Sequence, residues 1–345
     1  MNNIQLTESF EINTFQFLNN YSQIAVLVDE NTAKYCYPII KDLLPQHQLI
    51  HIHSGEEFKN LATCQEIWNK LTEWQFDRHA VLLNLGGGVI GDMGGFCAAT
   101  YKRGIDFVQL PTTLLSQVDA SVGGKLGIDF QGFKNHIGLF KIPTKVIISP
   151  LFLETLPHRE LRSGFAEVII HALIYDQQHW ATLCQRKLDQ PWASIIPHSV
   201  GIKDQVVQQD PTEQHVRKIL NFGHTIGHAV ETFFLSQGAR KLLHGEAIAI
   251  GMIAEAYLAQ QKGTLNKEAL HEIQDYILSI FGKVSIHTIE IQQLVGNALQ
   301  DKKNEKGIIK ASLLDHIGKA NYNQAISLDE ISEALKYYGE LEMGK

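Results

Sequence analysis

The first half of the chain alternates short apolar runs with amphipathic stretches. Continuous apolar runs are typical of strands that are buried on both faces of a parallel sheet. We predict strands at Ser22–Asp29, Leu49–His53, Ala80–Leu85, Phe107–Leu110 and Val146–Ser149, and helices near Ala33–Leu44 and Leu61–Trp74. Strands that alternate with helices predict a doubly wound parallel sheet, so we expect residues 1–155 to form an α/β, Rossmann-like domain.

The pattern changes after Pro157, where long helical periodicity replaces the strands. Pro150, Pro157 and the polar stretch PHRE mark the boundary. We therefore expect residues 156–345 to form a second, all-α domain. A chain of 345 residues is long enough for two domains, and an apolar content of 44% is sufficient for their cores.

Composition and charge exclude several classes of protein. The 30 basic and 37 acidic residues give a net charge of −7 without a basic stripe, which argues against a nucleic-acid partner. The four scattered cysteines form no CxxC pair and are typical of a reducing compartment. The sequence has neither a signal-peptide pattern nor a long apolar run, so we expect a cytoplasmic protein with no membrane partner.

Three histidines lie close together between Arg217 and Glu246. His224 and His228 are four residues apart and share one face of a predicted helix, and His244 follows after a loop. A single histidine in such an apolar setting is more often a core residue. Two or three imidazoles brought together instead suit a divalent metal ion, usually zinc, so the sequence predicts a metal site here.

A carboxylate in a second apolar helix is a candidate third ligand. Glu167 lies within RSGFAEVIIHALI, where a buried carboxylate is costly unless it is paired or bound to a metal. Glu167 with two of the histidines would form a His2Glu site with a position left open for water or substrate. His171, four residues later, is an alternative ligand that the spacing alone does not exclude.

A glycine-rich loop, GGGVIGD at 86–92, follows a predicted strand and leads into a helix. Its glycines allow close approach of the backbone to a ligand, and a helix N-terminus favours a phosphate. The order is not GxGxxG, so the loop alone is a weak signal. Further polar side chains stand at or after other strand ends: Asp29, Glu56, Lys59, Thr112 and Thr113. Together these positions indicate a dinucleotide cofactor.

Several charged or amide side chains occur in apolar or glycine-rich settings that are poor surface sequence. They are Arg103, Asp119, Lys125, Lys134, Asn135, Lys203, Arg217 and Asn221. Taken one at a time, each is more often a solvated surface group. Beside a metal and a dinucleotide, several cations suggest a small substrate that carries phosphate and carboxylate groups.

These and neighbouring stretches of the sequence closely resemble one family, the 3-dehydroquinate synthases of the sugar-phosphate cyclase group. The matching stretches include LGGGVIGDMGGFCAATYKRG, LPTTLLSQVDASVGGK, RSGFAEVI and QQDPTEQHVRKILNFGHTIGHAVE. With shorter ones such as SGEEFK and LHGEAIAIGM, they extend from about residue 54 to about residue 320. The resemblance implies an N-terminal NAD-binding domain and a helical C-terminal domain, usually in a homodimer.

The resemblance also implies roles for individual residues. Zinc or cobalt would be held by Glu167, His224 and His244, which leaves His171 and His228 outside the ligand set. The NAD contacts would be Ser54, Gly55, Glu56, Glu57, Phe58, Lys59, Gly88, Val89, Ile90, Gly91, Asp92, Thr112, Thr113, Lys125, Lys134, Phe152, Leu153, Glu154 and Thr155. Asp29, at the end of a predicted strand, is a further candidate. Substrate contacts would be Asp119, Lys125, Asn135, Lys203, Arg217, Asn221, His228 and Lys302, and Arg103 would reach the neighbouring subunit's site.

The implied reaction converts 3-deoxy-D-arabino-heptulosonate 7-phosphate into 3-dehydroquinate and phosphate. It is the second step of the shikimate pathway, which supplies chorismate and the aromatic amino acids, and it makes the expected enzyme a phosphate-eliminating carbon–oxygen lyase. NAD would be reduced and then reoxidised in each turnover, and the metal would acidify a substrate hydroxyl. The protein's contribution would be mainly positioning and electrostatics.

One position departs from the family pattern. The metal glutamate is commonly followed three residues later by a lysine, as in AEVIK, whereas this chain has AEVII with Ile170 in that place. A charge-assisted hydrogen bond is worth roughly 1.5–3 kcal/mol, so we expect activity to be retained but weakened, or His171 to compensate.

Three alternatives remain open. Another sugar-phosphate cyclase, of the 2-deoxy-scyllo-inosose or 2-epi-5-epi-valiolone synthase type, is disfavoured by Arg217, which suits a substrate carboxylate that those substrates lack. A metal-dependent polyol dehydrogenase would release NADH, whereas a cyclase recycles it. A non-catalytic protein that binds NAD and metal is suggested only by Ile170.

Overall fold

The computed structural model describes residues 3–131, 133–298 and 309–342. The chain forms two compact units, one of Met1–Leu161 with Trp192–Val200 and one of Arg162–Pro191 with Gly201–Lys345. Each unit therefore consists of two separate segments of the chain. The single boundary between residues 155 and 156 that the sequence suggests remains a prediction.

The first unit's strands are β1 (Ile4–Leu6), β2 (Ile24–Val28), β3 (Gln48–His51), β4 (Val81–Gly86), β5 (Asp106–Pro111), β6 (Lys125–Phe130), β7 (Phe133–Phe140) and β8 (Lys145–Ile148). Six of them form a parallel sheet with the order β1-β8-β5-β4-β2-β3. Strand β2 is buried along its whole length, and so is β4, because helices cover both faces of a parallel sheet. The fold predicted from the alternating apolar runs is confirmed, with β1 as an additional edge strand.

The α-helices between the sheet strands in the described part of this unit are α1 (Glu30–Tyr35), α2 (Tyr37–Ile40), α3 (Leu61–Glu73) and α4 (Gly88–Thr100). The glycines of α4 let it lie unusually close to its neighbours. A Cβ added at Gly94 would lie 2.1 Å from the Asn84 Oδ1 atom, and one added at Gly95 would lie 2.4 Å from Leu126 Cδ2. Gly94 and Gly95 therefore have a packing role that is independent of any ligand.

Strands β6 and β7 form an antiparallel hairpin that the sequence analysis did not predict. Strand β7 is exposed over nearly its whole length, so its sequence FKNHIGLF lacks the alternation of a half-buried strand. Lys134 and Asn135, both predicted to be site residues, lie on this strand.

The second unit is mainly helical, as predicted. Helices α5 (His158–Tyr175) and α7 (Trp192–Gln209) cross the division between the units. The other helices are α6 (Gln177–Leu183), α8 (His224–Leu235), α9 (His244–Gln261), α10 (Lys267–Phe281), α11 (Thr288–Ala298) and α12 (Leu328–Glu340). Among the described residues, no helix is long and apolar enough to cross a membrane.

One correction applies to the description of this part as all-α. Strands β9 (Ile309–His316) and β10 (Lys319–Ile326) form an antiparallel hairpin. The turn between them contains Gly318 at a φ of 96°, a conformation that glycine adopts without a steric penalty. The hairpin's strands lie within a region whose surrounding periodicity is helical, which explains why the sequence analysis did not predict them.

Candidate active site

Three side chains from three helices of the second unit meet at one point. Glu167 comes from α5, His224 is the first residue of α8, and His244 is the first residue of α9. The Glu167 Oε1 atom lies 3.4 Å from His224 Nε2 and 3.5 Å from His244 Nε2. One ligand atom from each side chain lies within 4.8 Å of the others, a spacing suited to a shared cation.

A buried carboxylate fixes the start of α8. Glu255, which is fully buried on α9, accepts hydrogen bonds from the backbone N–H groups of Gly223 (2.7 Å) and Ile226 (2.9 Å). The first N–H groups of a helix have no partner within the helix, and their partial positive charge favours an anion. Glu255 therefore holds the turn that presents His224.

Glycines allow α8 and α9 to cross at close range. A Cβ added at Gly251 would lie 1.9 Å from the Gly223 carbonyl oxygen and 2.6 Å from the Gly227 nitrogen. Both neighbours are backbone atoms, so they cannot move aside as a flexible side chain would. This crossing brings the beginning of α8, and hence His224, close to α9.

A second close contact joins α9 to α5. A Cβ added at Gly245 would lie 1.9 Å from the Ser163 carbonyl oxygen, and the Gly245 N–H donates to Ser163 Oγ at 3.0 Å. One residue further, Glu246 Oε1 accepts from Arg162 Nη2 at 2.6 Å. The contact places His244 beside the helix that carries Glu167.

The three side chains perturb one another electrostatically. Burial alone would raise the pKa of Glu167, but the imidazoles of His224 and His244 hold it well below its ordinary value. Burial alone would lower the pKa of His244, but the carboxylates of Glu231 and Glu167 raise it to about 10. Glu167 is thus an anion that attracts positive charge from two directions.

The donor set fits a divalent metal ion. Among the residues that the structure describes, Glu167 Oε1 is a buried acceptor without a hydrogen-bond partner, although Glu167 is only 2% exposed. A buried carboxylate is normally paired, hydrogen-bonded or bound to a metal. One carboxylate and two imidazoles with a further position open is the donor set of catalytic zinc sites.

Two acidic side chains of this unit were not predicted from the sequence. Glu231 lies on α8 beside His228 and His244, and these three residues form a second group with ligand atoms within 4.8 Å. Glu213, at a φ of 60°, accepts from Asn221 Nδ2 at 2.6 Å. The signal for Glu231 was its spacing, since it follows His228 by three residues on the same helix face.

Two predicted substrate residues of the second unit are buried cations, Arg217 and Lys203. Arg217 is only 2% exposed; its Nη1 donates to the Pro211 carbonyl at 2.6 Å and its backbone N–H donates to Asp210 Oδ2 at 3.1 Å. Lys203 is buried on α7. Buried cations are unusual. The hydrogen bond to the Pro211 carbonyl restricts the direction of the Arg217 guanidinium.

The glycine loop of the first unit lies at the carboxyl edge of the sheet. Strands β2 and β4 are neighbours whose onward connections run to opposite sides, and ligands of doubly wound folds bind at such a point. Gly87 precedes the first turn of α4, and the Thr112 N–H donates to the Gly86 carbonyl at 3.0 Å. Asp29, after β2, caps α1 by accepting from the Thr32 N–H at 2.7 Å.

The predicted cofactor loop at 54–59 is tied to the same edge by a lysine. Lys59 is almost fully buried, and its Nζ donates to Asp92 Oδ2 at 2.7 Å and to Asn135 Oδ1 at 2.6 Å. Burial alone would lower the pKa of Lys59, but the carboxylates of Asp92 and Glu56 raise it, so the side chain remains charged. Asn135, predicted to contact substrate, thus adjoins two residues predicted to contact NAD.

The remaining predicted residues differ in their exposure. Asp119 lies on a π-helical turn at Ser116–Ala120, whereas Lys125, Lys134 and Arg103 are exposed. Phe152 is buried against Phe10, with ring centroids 5.2 Å apart, so its side chain belongs to the core. Lys302 lies outside the described residues.

Comparison with known proteins gives consistent matches. The family profile for the 3-dehydroquinate synthase N-terminal region matches residues 49–163, and that for the C-terminal region matches residues 164–304. The curated 3-dehydroquinate synthase of Parabacteroides distasonis is 38% identical over 338 residues, covering 96% of this chain and 95% of the relative. That of Thermodesulfovibrio yellowstonii is 42% identical over 295 residues, covering 83% and 81%.

A solved structure shares the fold of the whole chain. It is 2-epi-5-epi-valiolone synthase from Streptomyces hygroscopicus subsp. jinggangensis 5008, with NAD+ and Zn2+ bound. The TM-score is 0.84 at 27% identity, and the match covers 98% of this chain and 96% of the other.

Proposed function

The chain belongs to the 3-dehydroquinate synthase family, and from this membership we propose that it converts 3-deoxy-D-arabino-heptulosonate 7-phosphate into 3-dehydroquinate and phosphate. It would thereby act as a phosphate-eliminating lyase of the shikimate pathway. The observation that carries the proposal is the meeting of Glu167, His224 and His244 in a chain that matches this family over nearly its full length.

The proposed cofactors are NAD and a zinc or cobalt ion. Glu167, His224 and His244 would hold the ion, and the solved valiolone synthase, which binds both NAD+ and Zn2+, supports this pairing. When bound, the metal supplies Lewis acidity toward a substrate hydroxyl and NAD supplies a reversible hydride acceptor. The chain's own residues bind, orient and shield the substrate.

The dinucleotide contacts are proposed at the carboxyl edge of the parallel sheet. The N-terminal turn of α4, with Gly88, offers backbone N–H groups to a phosphate. Lys59 would hold the 54–59 loop against Asp92 so that the loop lies beside the cofactor. Thr112 and Thr113 lie next to the glycine loop, where a Cβ on Gly87 would be 3.1 Å from Thr113 Cγ2.

The substrate's two anionic groups are assigned to different cations. Arg217 suits the carboxylate because its guanidinium is buried and held in one direction by Pro211. His228 would lie near the phosphate group, Lys203 would contact the substrate, and Asn221 would be oriented by its hydrogen bond to Glu213. Asp119, Lys125, Asn135 and Lys302 complete the proposed contacts.

Assembly and location are also proposals. We expect a cytoplasmic homodimer, in which Arg103 reaches the partner's substrate. Arg103 is exposed at the end of α4 and has a left-handed φ of 69°, a conformation that is uncommon outside glycine.

A carboxylate-specific test separates this reaction from that of the other cyclases. Arg217→Gln should lower kcat/KM for the heptulosonate phosphate by about 10- to 100-fold, the equivalent of one charge-assisted hydrogen bond. Lys218→Gln, which removes the adjacent cation that donates to Asn323 Oδ1, is the matched control and should have little effect. Turnover of sedoheptulose 7-phosphate, with none of the heptulosonate phosphate, would instead assign the chain to the valiolone synthase type.

A further inference from the structure

The two ring nitrogens of His244 face two different carboxylates. Its Nε2 lies 3.5 Å from Glu167 Oε1, and its Nδ1 lies 3.2 Å from Glu231 Oε2. His224 has a comparable arrangement, since its Nε2 faces Glu167 and its Nδ1 lies 3.2 Å from the Phe222 carbonyl oxygen. Each histidine therefore has an acceptor behind Nδ1.

A metal ion beside Glu167 would be bound by neutral imidazoles through Nε2, so the arrangement behind each ring decides whether Nδ1 can keep the remaining proton. A carbonyl oxygen and an ionised carboxylate only accept hydrogen bonds, so each favours the tautomer with hydrogen on Nδ1. The lone pair is then left on Nε2, which faces Glu167 in both rings. Such an outer partner fixes the orientation of a metal-binding imidazole and increases its basicity.

Glu231 is well placed to act in this way on His244. It is only 7% exposed and lies on α8, seven residues after His224, so it projects from the same general face of the helix. His244 stands at the very start of α9, after the loop that follows α8, so its own helix restrains it from one side only. Glu231 supplies a restraint from the other helix.

We propose that Glu231 is a positioning residue, whose carboxylate accepts the Nδ1–H of His244 and aims Nε2 at the metal ion beside Glu167. The inference rests on the proposed function in that it takes these three residues as the metal site. The competing assignment is that Glu231 is itself a ligand, in the overlapping group formed with His228 and His244.

The test measures metal binding in the full chain without substrate. Zinc affinity is determined by competition with a chromophoric chelator for wild type, Glu231→Ala and Glu231→Gln. We expect Glu231→Ala to bind zinc about 10- to 100-fold more weakly, as is usual for the loss of such an outer partner. Glu231→Gln keeps an acceptor and should lie between Ala and wild type. Glu272→Ala, which removes a carboxylate that accepts from Trp180 Nε1 at 2.6 Å and lies on α10 outside the candidate metal site, is the matched control.

The absorption spectrum of the cobalt-substituted protein distinguishes a positioning residue from a ligand. At saturating cobalt, Glu231→Ala and Glu231→Gln should keep the wild-type spectrum, because the ligand set is unchanged. A changed spectrum in both variants, together with weaker binding in His228→Asn, would show that Glu231 is a ligand and overturn the proposal. Wild-type zinc affinity in a folded Glu231→Ala protein would overturn it as well.

The result is separable from that of the proposed function. Affinity and spectrum are recorded without substrate, so a positioning effect is measurable even if wild type forms no dehydroquinate. Conversely, an active enzyme with an unaffected Glu231→Ala variant would leave the function in place and remove this inference alone.

Discussion

The close crossing of α8 and α9 predicts a large effect for a very small substitution, Gly251→Ala. The added methyl carbon would lie 1.9 Å from the Gly223 carbonyl oxygen, whereas ordinary contacts begin at 3.4 Å. The two backbones must therefore separate by about 1.5 Å, which is the difference between those distances. Because Gly223 immediately precedes His224, the separation is transmitted directly to the candidate metal ligand.

The expected magnitude follows from overpacking. Extra volume in a packed interior typically costs about 1–3 kcal/mol. For a unit of this size, each kcal/mol lowers Tm by roughly 2–4 °C. Ligand distances in metal sites are held to about 0.2 Å, so a displacement on the order of 1 Å should also weaken zinc binding.

The assay compares thermal unfolding and zinc competition in Gly251→Ala and Gly296→Ala. Gly296, within α11, has no atom within 4 Å of an added Cβ. Its replacement by alanine should raise stability by roughly 0.5–1 kcal/mol, because glycine is unfavourable inside a helix. If Gly251→Ala matched this control in Tm and zinc affinity, the crossing would not set the position of His224.

Three further predictions concern other parts of the chain. Ile170→Lys should raise kcat/KM by about 10- to 100-fold, because it restores a charge-assisted hydrogen bond. It should also lower Tm, because Ile170 is fully buried. An unchanged or lower kcat/KM would show that Ile170 does not weaken the enzyme. Burial alone would raise the pKa of Asp210, but three backbone N–H groups hold it below its ordinary value. Ionised Asp210 therefore stabilises the folded protein above about pH 4, and this stabilisation is lost as the pH falls through the folded-state pKa. The Tm advantage of wild type over Asp210→Asn should shrink on acidification. A constant difference in Tm would contradict this. Lys59→Met should weaken NAD binding by about 10-fold or more in a fluorescence titration. Lys70→Met, which breaks an exposed pair with Glu73, is the control and should not weaken it. Equal NAD affinities of wild type and Lys59→Met would remove Lys59 from the cofactor site.

The sheet could be predicted because its strands carry their own signal. In β2 every residue is apolar and buried, which only a strand covered on both faces requires. The hairpin of β6 and β7 carries no such signal, because an exposed strand needs no buried face. Its residues Lys134 and Asn135 were recognised through their glycine-rich setting and the family resemblance, and not through periodicity.

The candidate site was predictable where chemistry and spacing coincide. Two histidines four residues apart on an apolar helix, and Glu167 in a second apolar helix, identify an unusual donor set from the sequence alone. Glu231 could have been noticed from its spacing to His228, but its contact with His244 could not, because His244 is thirteen residues away and lies on α9. The spacing of residues in the sequence predicts contacts within one helix, but it does not predict contacts between two helices.

The most direct test of the proposed function is one reaction followed by two readouts. Purified protein is mixed with 3-deoxy-D-arabino-heptulosonate 7-phosphate, NAD and zinc, with and without a chelator, while products and NADH are recorded together. The proposal predicts equal amounts of phosphate and 3-dehydroquinate, no accumulation of NADH, and loss of turnover on chelation. Accumulating NADH without phosphate release would identify a dehydrogenase, and the absence of any product from a protein that still binds NAD and zinc would contradict the proposed activity.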